Sequence, residues 1–229
     1  MENLKSNYEK IVYNVNQAYA AANSAGNKMS KLTEIMAVTK TVSADRVNAA
    51  IQCGISRLGE NRVQEYLSKK DDYSGDFTVD FIGSLQTNKV RQIISYVNLI
   101  HSLDNIGLAT EVNKCAKKID KIQRCLVEVN IGLEVTKSGV LPENLRGFLT
   151  DMEQFENIEI CGLMCIPPFG NSAEYFPAMQ DLFEETRATH TTKTGFDTLS
   201  MGMSDDYEQA VKYGSTIVRI GSALFGRRG

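Results

Sequence analysis

The chain has 229 residues, 42% hydrophobic and 23% charged, a balance that builds an ordinary buried core beneath a well-solvated surface. A net charge of −3 and a pI near 5.5 argue against a nucleic-acid binder, which needs a basic face. Two histidines, and five cysteines at no zinc spacing, argue against a metal site; no apolar run reaches a membrane span, and residues 1–5 lack a signal-peptide core.

From Leu4 the apolar residues Leu4, Tyr8, Ile11, Val12, Val15, Tyr19 and Ala22 share one helical face, closed by the Gly26-Asn27 turn signal. Residues 34–40 read as a first strand, an apolar run that ends in Lys40. Ser43 stands as the cap of a helix over 44–52. The same beat then repeats. Residues 55–61 and 79–83 read as strands two and three, with helices over 62–69 and through Ser95. Residues 98–103 form strand four, and Asp104 caps a helix to about 118. Strand five spans 124–131, and Pro142 opens a helix reaching about 153. Strand six, 158–166, is stopped by Pro167-Pro168. A helix over 174–188, strand seven at 198–203, a helix over 205–212 and strand eight at 217–220 complete the order.

Eight strands, each followed by a helix or helical turn, predict a single (β/α)8 TIM barrel over residues 1–229. An open doubly wound sheet is the runner-up, but no Gly-x-Gly-x-x-Gly follows the first strand. Only a stub follows strand eight, so the extra N-terminal helix is expected to fill that place in the outer ring. Cys161 and Cys165 read as core thiols on one strand face, too far apart for a disulfide. Reduced thiols suit a cytoplasmic protein.

In such a barrel the chemistry sits just past the strand ends. Lys40 stands there, either snorkelling to water or desolvated into a nucleophilic amine. Ser200 and Gly202 after strand seven, with Gly221 and Ser222 after strand eight, supply the small residues and hydroxyls of a phosphate site. A phosphate site facing a lysine suits a phosphorylated carbonyl compound, as in a sugar-phosphate aldolase or a protein holding pyridoxal 5′-phosphate (PLP). Arg219 separates the two, because it shares a strand face with Gly221 and could partner an aromatic ring nitrogen. Met201 and Met203 alternate with these residues, and Met203 is counted as a residue packing on the ring.

The same residues carry a resemblance. Ala37-Val38-Thr39-Lys40, Gly59-Glu60-Asn61-Arg62, residues 81–89, Val129-Asn130-Ile131-Gly132, residues 162–168, 199–206 and 218–226 follow one another in the right order. The sequence resembles the pyridoxal phosphate homeostasis protein family, relatives of the alanine racemase N-terminal barrel. The resemblance implies a fold type III PLP barrel with PLP as a Schiff base on Lys40 and Asn61 near the cofactor. It places Ser200, Gly221 and Ser222 at the phosphate and Arg219 at the pyridine nitrogen. Two departures are Asp80, where the family usually has histidine, and Thr39, where serine is common. The implied protein is a cytoplasmic, monomeric, non-catalytic carrier in vitamin B6 homeostasis that hands PLP to PLP-dependent apoenzymes. The alternative is an amino-acid racemase or decarboxylase, which needs an acid/base on each face of the cofactor. Lys40 could serve one face; in alanine racemase the other comes from a second domain, which this chain is not expected to contain.

Overall fold

Short apolar runs bounded by turn residues become strands, and the amphipathic stretches between them become helices. The computed structural model describes residues 2–24, 31–168, 170–190 and 195–226, so the Gly26-Asn27 turn lies outside the described residues. After α1 (Glu2–Ser24) come β1 (Glu34–Val38), α2 (Ala44–Gln52), β2 (Arg57–Glu60) and α3 (Val63–Lys69). Next are β3 (Thr78–Phe81), α4 (Val90–Ile93), β4 (Leu99–Leu103) and α5 (Ile106–Lys117). Then follow β5 (Gln123–Val129), α6 (Leu145–Met152), β6 (Ile158–Cys165) and α7 (Ser172–Thr189). Last come β7 (Thr198–Met203), α8 (Tyr207–Lys212), β8 (Ile217–Ile220) and α9 (Ser222–Phe225). The strands close in sequence order, and β8 returns parallel to β1 with Met36 beside Arg219. This is the barrel that the strand count predicts.

Side chains alternate along each strand, and the barrel sorts them into two layers. Met36, Leu99, Leu126, Cys161, Met164 and Ile217 meet inside, with Ile82 above β3. Ala37, Leu58, Ile100, Val127, Leu163, Leu199 and Val218 face the helices. The apolar stripe of α1 (Leu4, Ile11, Val15, Ala18, Ala22) is buried, and the helix packs on α8 and α9. Asn7 Nδ2 donates to the Leu224 carbonyl (3.0 Å) and Asn14 Nδ2 to the Tyr207 hydroxyl (3.0 Å). The extra helix thus occupies the expected place after β8. Among the described residues no helix is long and apolar enough to cross a membrane, and none of the five cysteines is in a disulfide.

Local expectations shift in instructive ways. Pairing of β1 ends at Val38, so Lys40 lies in the turn beyond the strand. Ser43 holds the N-cap position of α2 in extended conformation, yet its side chain makes no capping bond. The cap of α5 is Asn105, whose side chain accepts from Leu108 N, because Asp104 stands one residue too early. The helix expected through Ser95 is the single turn of α4, and Pro142 opens a 3-10 turn that leads into α6. Cys161 and Cys165 do not share a face. Cys125 pairs with Ile160 and Leu126 with Gly162, so β6 bulges at Cys161. That residue turns inward while Cys165 joins the outer layer. Glycine is required at the bulge, since a Cβ on Gly162 would stand 1.7 Å from the Thr198 carbonyl oxygen.

Candidate functional site

Met36 and Val38 point into the barrel, and the half-buried Lys40 follows two residues on, in the turn at the C-terminal mouth. Its turn is clamped from outside the barrel. Thr39 Oγ1 donates to Glu60 Oε1 (2.7 Å), and Lys69 Nζ donates to the Thr39 and Val42 carbonyls (2.9 and 3.2 Å). The Thr41 amide donates to Glu65 (2.5 Å), and Thr41 itself sits at φ 61°, a conformation rare for a β-branched residue. Contacts to α3 hold that strained turn in shape. Burial pushes the Glu60 carboxyl up, while the Thr39 hydroxyl and Lys69 charge pull the other way.

Asn61 follows β2 directly. Its Oδ1 is buried with no hydrogen-bond partner among the described residues. An orphaned buried acceptor is destabilising by about 1–3 kcal/mol, so its place at the mouth suits a ligand donor. Gly83, past β3, lies so close that a Cβ there would stand 2.2 Å from the Asn61 carbonyl oxygen.

On β8, Arg219 is 4% exposed and points inward. Nη1 donates to the Ser200 carbonyl (2.9 Å) and hydroxyl (2.8 Å), and Nη2 to the Cys165 carbonyl (2.9 Å). These bonds engage three of its five N–H groups, leaving two for another acceptor. Ser200, expected at the phosphate, is fully buried beneath Arg219, with its hydroxyl between Arg219 and His101. The hydroxyl that does reach the strand-eight loop is Ser204. Its Oγ accepts from the amides of Gly221 (3.1 Å) and Ala223 (3.2 Å), and the exposed Ser222 starts α9 between them. A Cβ at Gly221 would meet nothing nearer than Val38 at 3.7 Å, so open space adjoins those amides. Met203 is 38% exposed at the rim, whereas Met201 is fully buried core.

Glu128 is the other group that sequence reasoning missed. It stands two residues past the inward Leu126 on β5, which the alternation could have revealed. Burial raises its pKa to about 7; the charge of Asp104 adds to the shift and Arg219 opposes it. The mouth thus presents an amine, an amide acceptor, a guanidinium, a cluster of amides and hydroxyls, and a carboxyl that titrates near neutrality. Among the described residues no three His, Cys, Asp or Glu side chains are grouped to hold a metal ion. An aldehyde-bearing phosphorylated heteroaromatic matches this donor set group by group, so the residues present fit PLP.

The fold and mouth define a barrel of the alanine racemase class. A family model described as "Alanine racemase, N-terminal domain" matches residues 7–229, and the chain belongs to that family. It is 42% identical over 200 residues to a pyridoxal phosphate homeostasis protein of Aquifex aeolicus, covering 85% of this chain and 87% of the relative. A protein of the same description from Synechocystis is 35% identical over 85% of this chain and 91% of its own length. The solved structure of PipY from Synechococcus elongatus with PLP bound superposes with a TM-score of 0.75 at 28% identity, covering 91% of this chain and all (100%) of PipY.

Proposed function

We propose that residues 1–229 act as one PLP-binding domain that serves intracellular PLP homeostasis, holding the cofactor as a Schiff base on Lys40. The observation that carries this reading is Arg219, a buried guanidinium with two N–H groups unengaged at the mouth that Lys40 overlooks. PLP supplies an aldehyde that condenses with an amine and a ring that withdraws electrons. Arg219 is assigned to the ring nitrogen, and it keeps that nitrogen unprotonated because guanidinium cannot accept a proton and its charge disfavours a second cation. Gly221, Ser222 and Ser204, whose Oγ the Gly221 and Ala223 amides orient, are assigned to the phosphate, and Asn61 and Met203 to the ring's surroundings. Ser200 acts from beneath, through Arg219.

Catalysis by a strong electron sink wants a carboxylate at the ring nitrogen, whereas the residue assigned to that nitrogen is an arginine. Racemases of the related fold work with such a nitrogen by placing a base on each face, and Lys40 supplies one, which supports a carrier that delivers PLP to apoenzymes. Five cysteines outside any disulfide suit a reducing cytoplasm. The names of the relatives, and PLP in the PipY structure, support the homeostasis role.

The test is reduction with borohydride after loading with PLP. The purified protein should be yellow, and the cofactor's mass should be fixed on the peptide containing Lys40. Label on Lys89 or Lys137 would refute the site. Incubation with amino acids in deuterated water then separates carrier from enzyme. Cα exchange of about 1 per second or faster, abolished in Lys40→Ala, would establish an enzyme; absent exchange beside a normal label supports the carrier.

A further inference from the structure

A continuous polar line crosses the barrel interior, whose other inner residues are largely apolar. At the mouth, Arg219 Nη1 donates to Ser200 Oγ (2.8 Å), and Ser200 Oγ lies 3.1 Å from His101 Nδ1. His101 Nε2 lies 3.1 Å from Asp80 Oδ2, which also accepts from Arg57 Nη1 (2.7 Å). Arg57 Nε donates in turn to Glu34 Oε2 (2.8 Å) at the opposite end. The six residues come from β8, β7, β4, β3, β2 and β1. Asp80, His101 and Ser200 are fully buried.

Chemistry fixes the direction of every bond. Guanidinium groups only donate, and an ionised carboxylate only accepts. The hydrogen bond from His101 and the charge of Arg57 keep Asp80 ionised despite burial. Burial holds His101 below its ordinary value, against the pull of Asp80 and with the help of Arg219 and Arg57. A neutral ring must therefore present Nε2–H to Asp80 and a bare Nδ1 to Ser200. Ser200 then donates its hydroxyl proton to Nδ1 and turns its lone pairs to Arg219. Reversing the ring would set two donors on the serine oxygen and leave its own proton without an acceptor, a buried loss that the geometry forbids.

We propose that Asp80 and His101 are positioning residues for the ligand ring: through Ser200 they fix the plane of the Arg219 guanidinium, so that its unengaged N–H meets the pyridine nitrogen. The inference rests on the assignment of Arg219 to that nitrogen. Neither Asp80 nor His101 touches the ligand.

The test compares the dissociation constants of PLP and of its carbocyclic analogue, in which C–H replaces the ring nitrogen. Parent, Asp80→Asn and Ser200→Ala are measured by equilibrium dialysis. The parent should prefer PLP by about tenfold or more, the worth of a hydrogen bond to a charged group. Both variants should lose most of that preference and hold the analogue nearly as well as the parent does. Equal weakening of both ligands would mark a merely structural role and overturn the inference, as would a preference that survives in the variants. A parent that labels at Lys40 yet shows no preference refutes the relay and the Arg219 assignment while sparing the covalent site. A parent that binds neither ligand refutes the functional reading and the inference with it. Ring-nitrogen NMR of His101 in the ligand-free parent gives a check independent of any variant's folding. Protonated Nε2 with bare Nδ1 is expected, and the opposite tautomer overturns the proposal.

Discussion

At the scale of single residues, the buried Asp80 and the half-buried Glu128 pull stability in opposite directions with pH. For Asp80, burial alone would raise the pKa, but the hydrogen bond from His101 and the charge of Arg57 hold it below the ordinary value. Its contribution is present above the unfolded-state pKa and is lost as pH falls through the folded one. Glu128 is the reverse case. With a folded pKa of about 7, raised mainly by burial, it binds a proton that the unfolded chain has already released. Its contribution is full below the unfolded-state value and disappears as pH rises through about 7. In Glu128→Gln that decline should vanish. Urea midpoints at about pH 5 and about pH 8 should therefore differ less in the variant than in the parent. A variant that tracks the parent across the range would show that Glu128 does not titrate there.

At the scale of elements, the loops of the mouth are locked to one another by close approach. Gly83→Ala places a methyl group 2.2 Å from the Asn61 carbonyl oxygen, and the three nearest atoms are all Asn61 backbone, so one loop must move. Destabilisation of about 1–3 kcal/mol is expected, together with weaker PLP retention, because Asn61 shifts with its loop. Unchanged melting and retention would mean the two loops yield freely. The same scale shows what the sequence could and could not disclose. Strand order was readable because each strand is an apolar run of limited length between turn residues. Lys40 is readable because it closes the apolar run of β1, and Arg219 because period-two alternation holds along β8. Past Ser200 that counting fails. Ser200 pairs with Ile217 but Met203 with Arg219, so a register shift in β7 intervenes. Ser204, not Ser200, consequently reaches the amides of Gly221 and Ala223. A bulge leaves no trace in hydrophobic spacing, which is also why Cys161 and Cys165 were paired on one face.

At the scale of the whole molecule, α1 seals the ring. Its stripe rests against α8 and α9, and Ile11 is 3% exposed. Ile11→Ala should lower unfolding free energy by about 2–5 kcal/mol, as expected for a buried branched side chain. The denaturant midpoint measures it, and a change under about 0.5 kcal/mol would show that the seam is not part of the core. The seam also dictates a timetable. Asn7 meets Leu224 across 217 residues, and β1 meets β8 across nearly as many. Contacts that distant form late, after the long loop between them has closed. As the chain leaves the ribosome, α1 and β1 are made well before α8, β8 and α9 and must wait for them. Until β8 arrives the growing sheet has two raw edges, each able to pair with another chain. Immunity from such cross-pairing is acquired all at once, when β8 docks against β1.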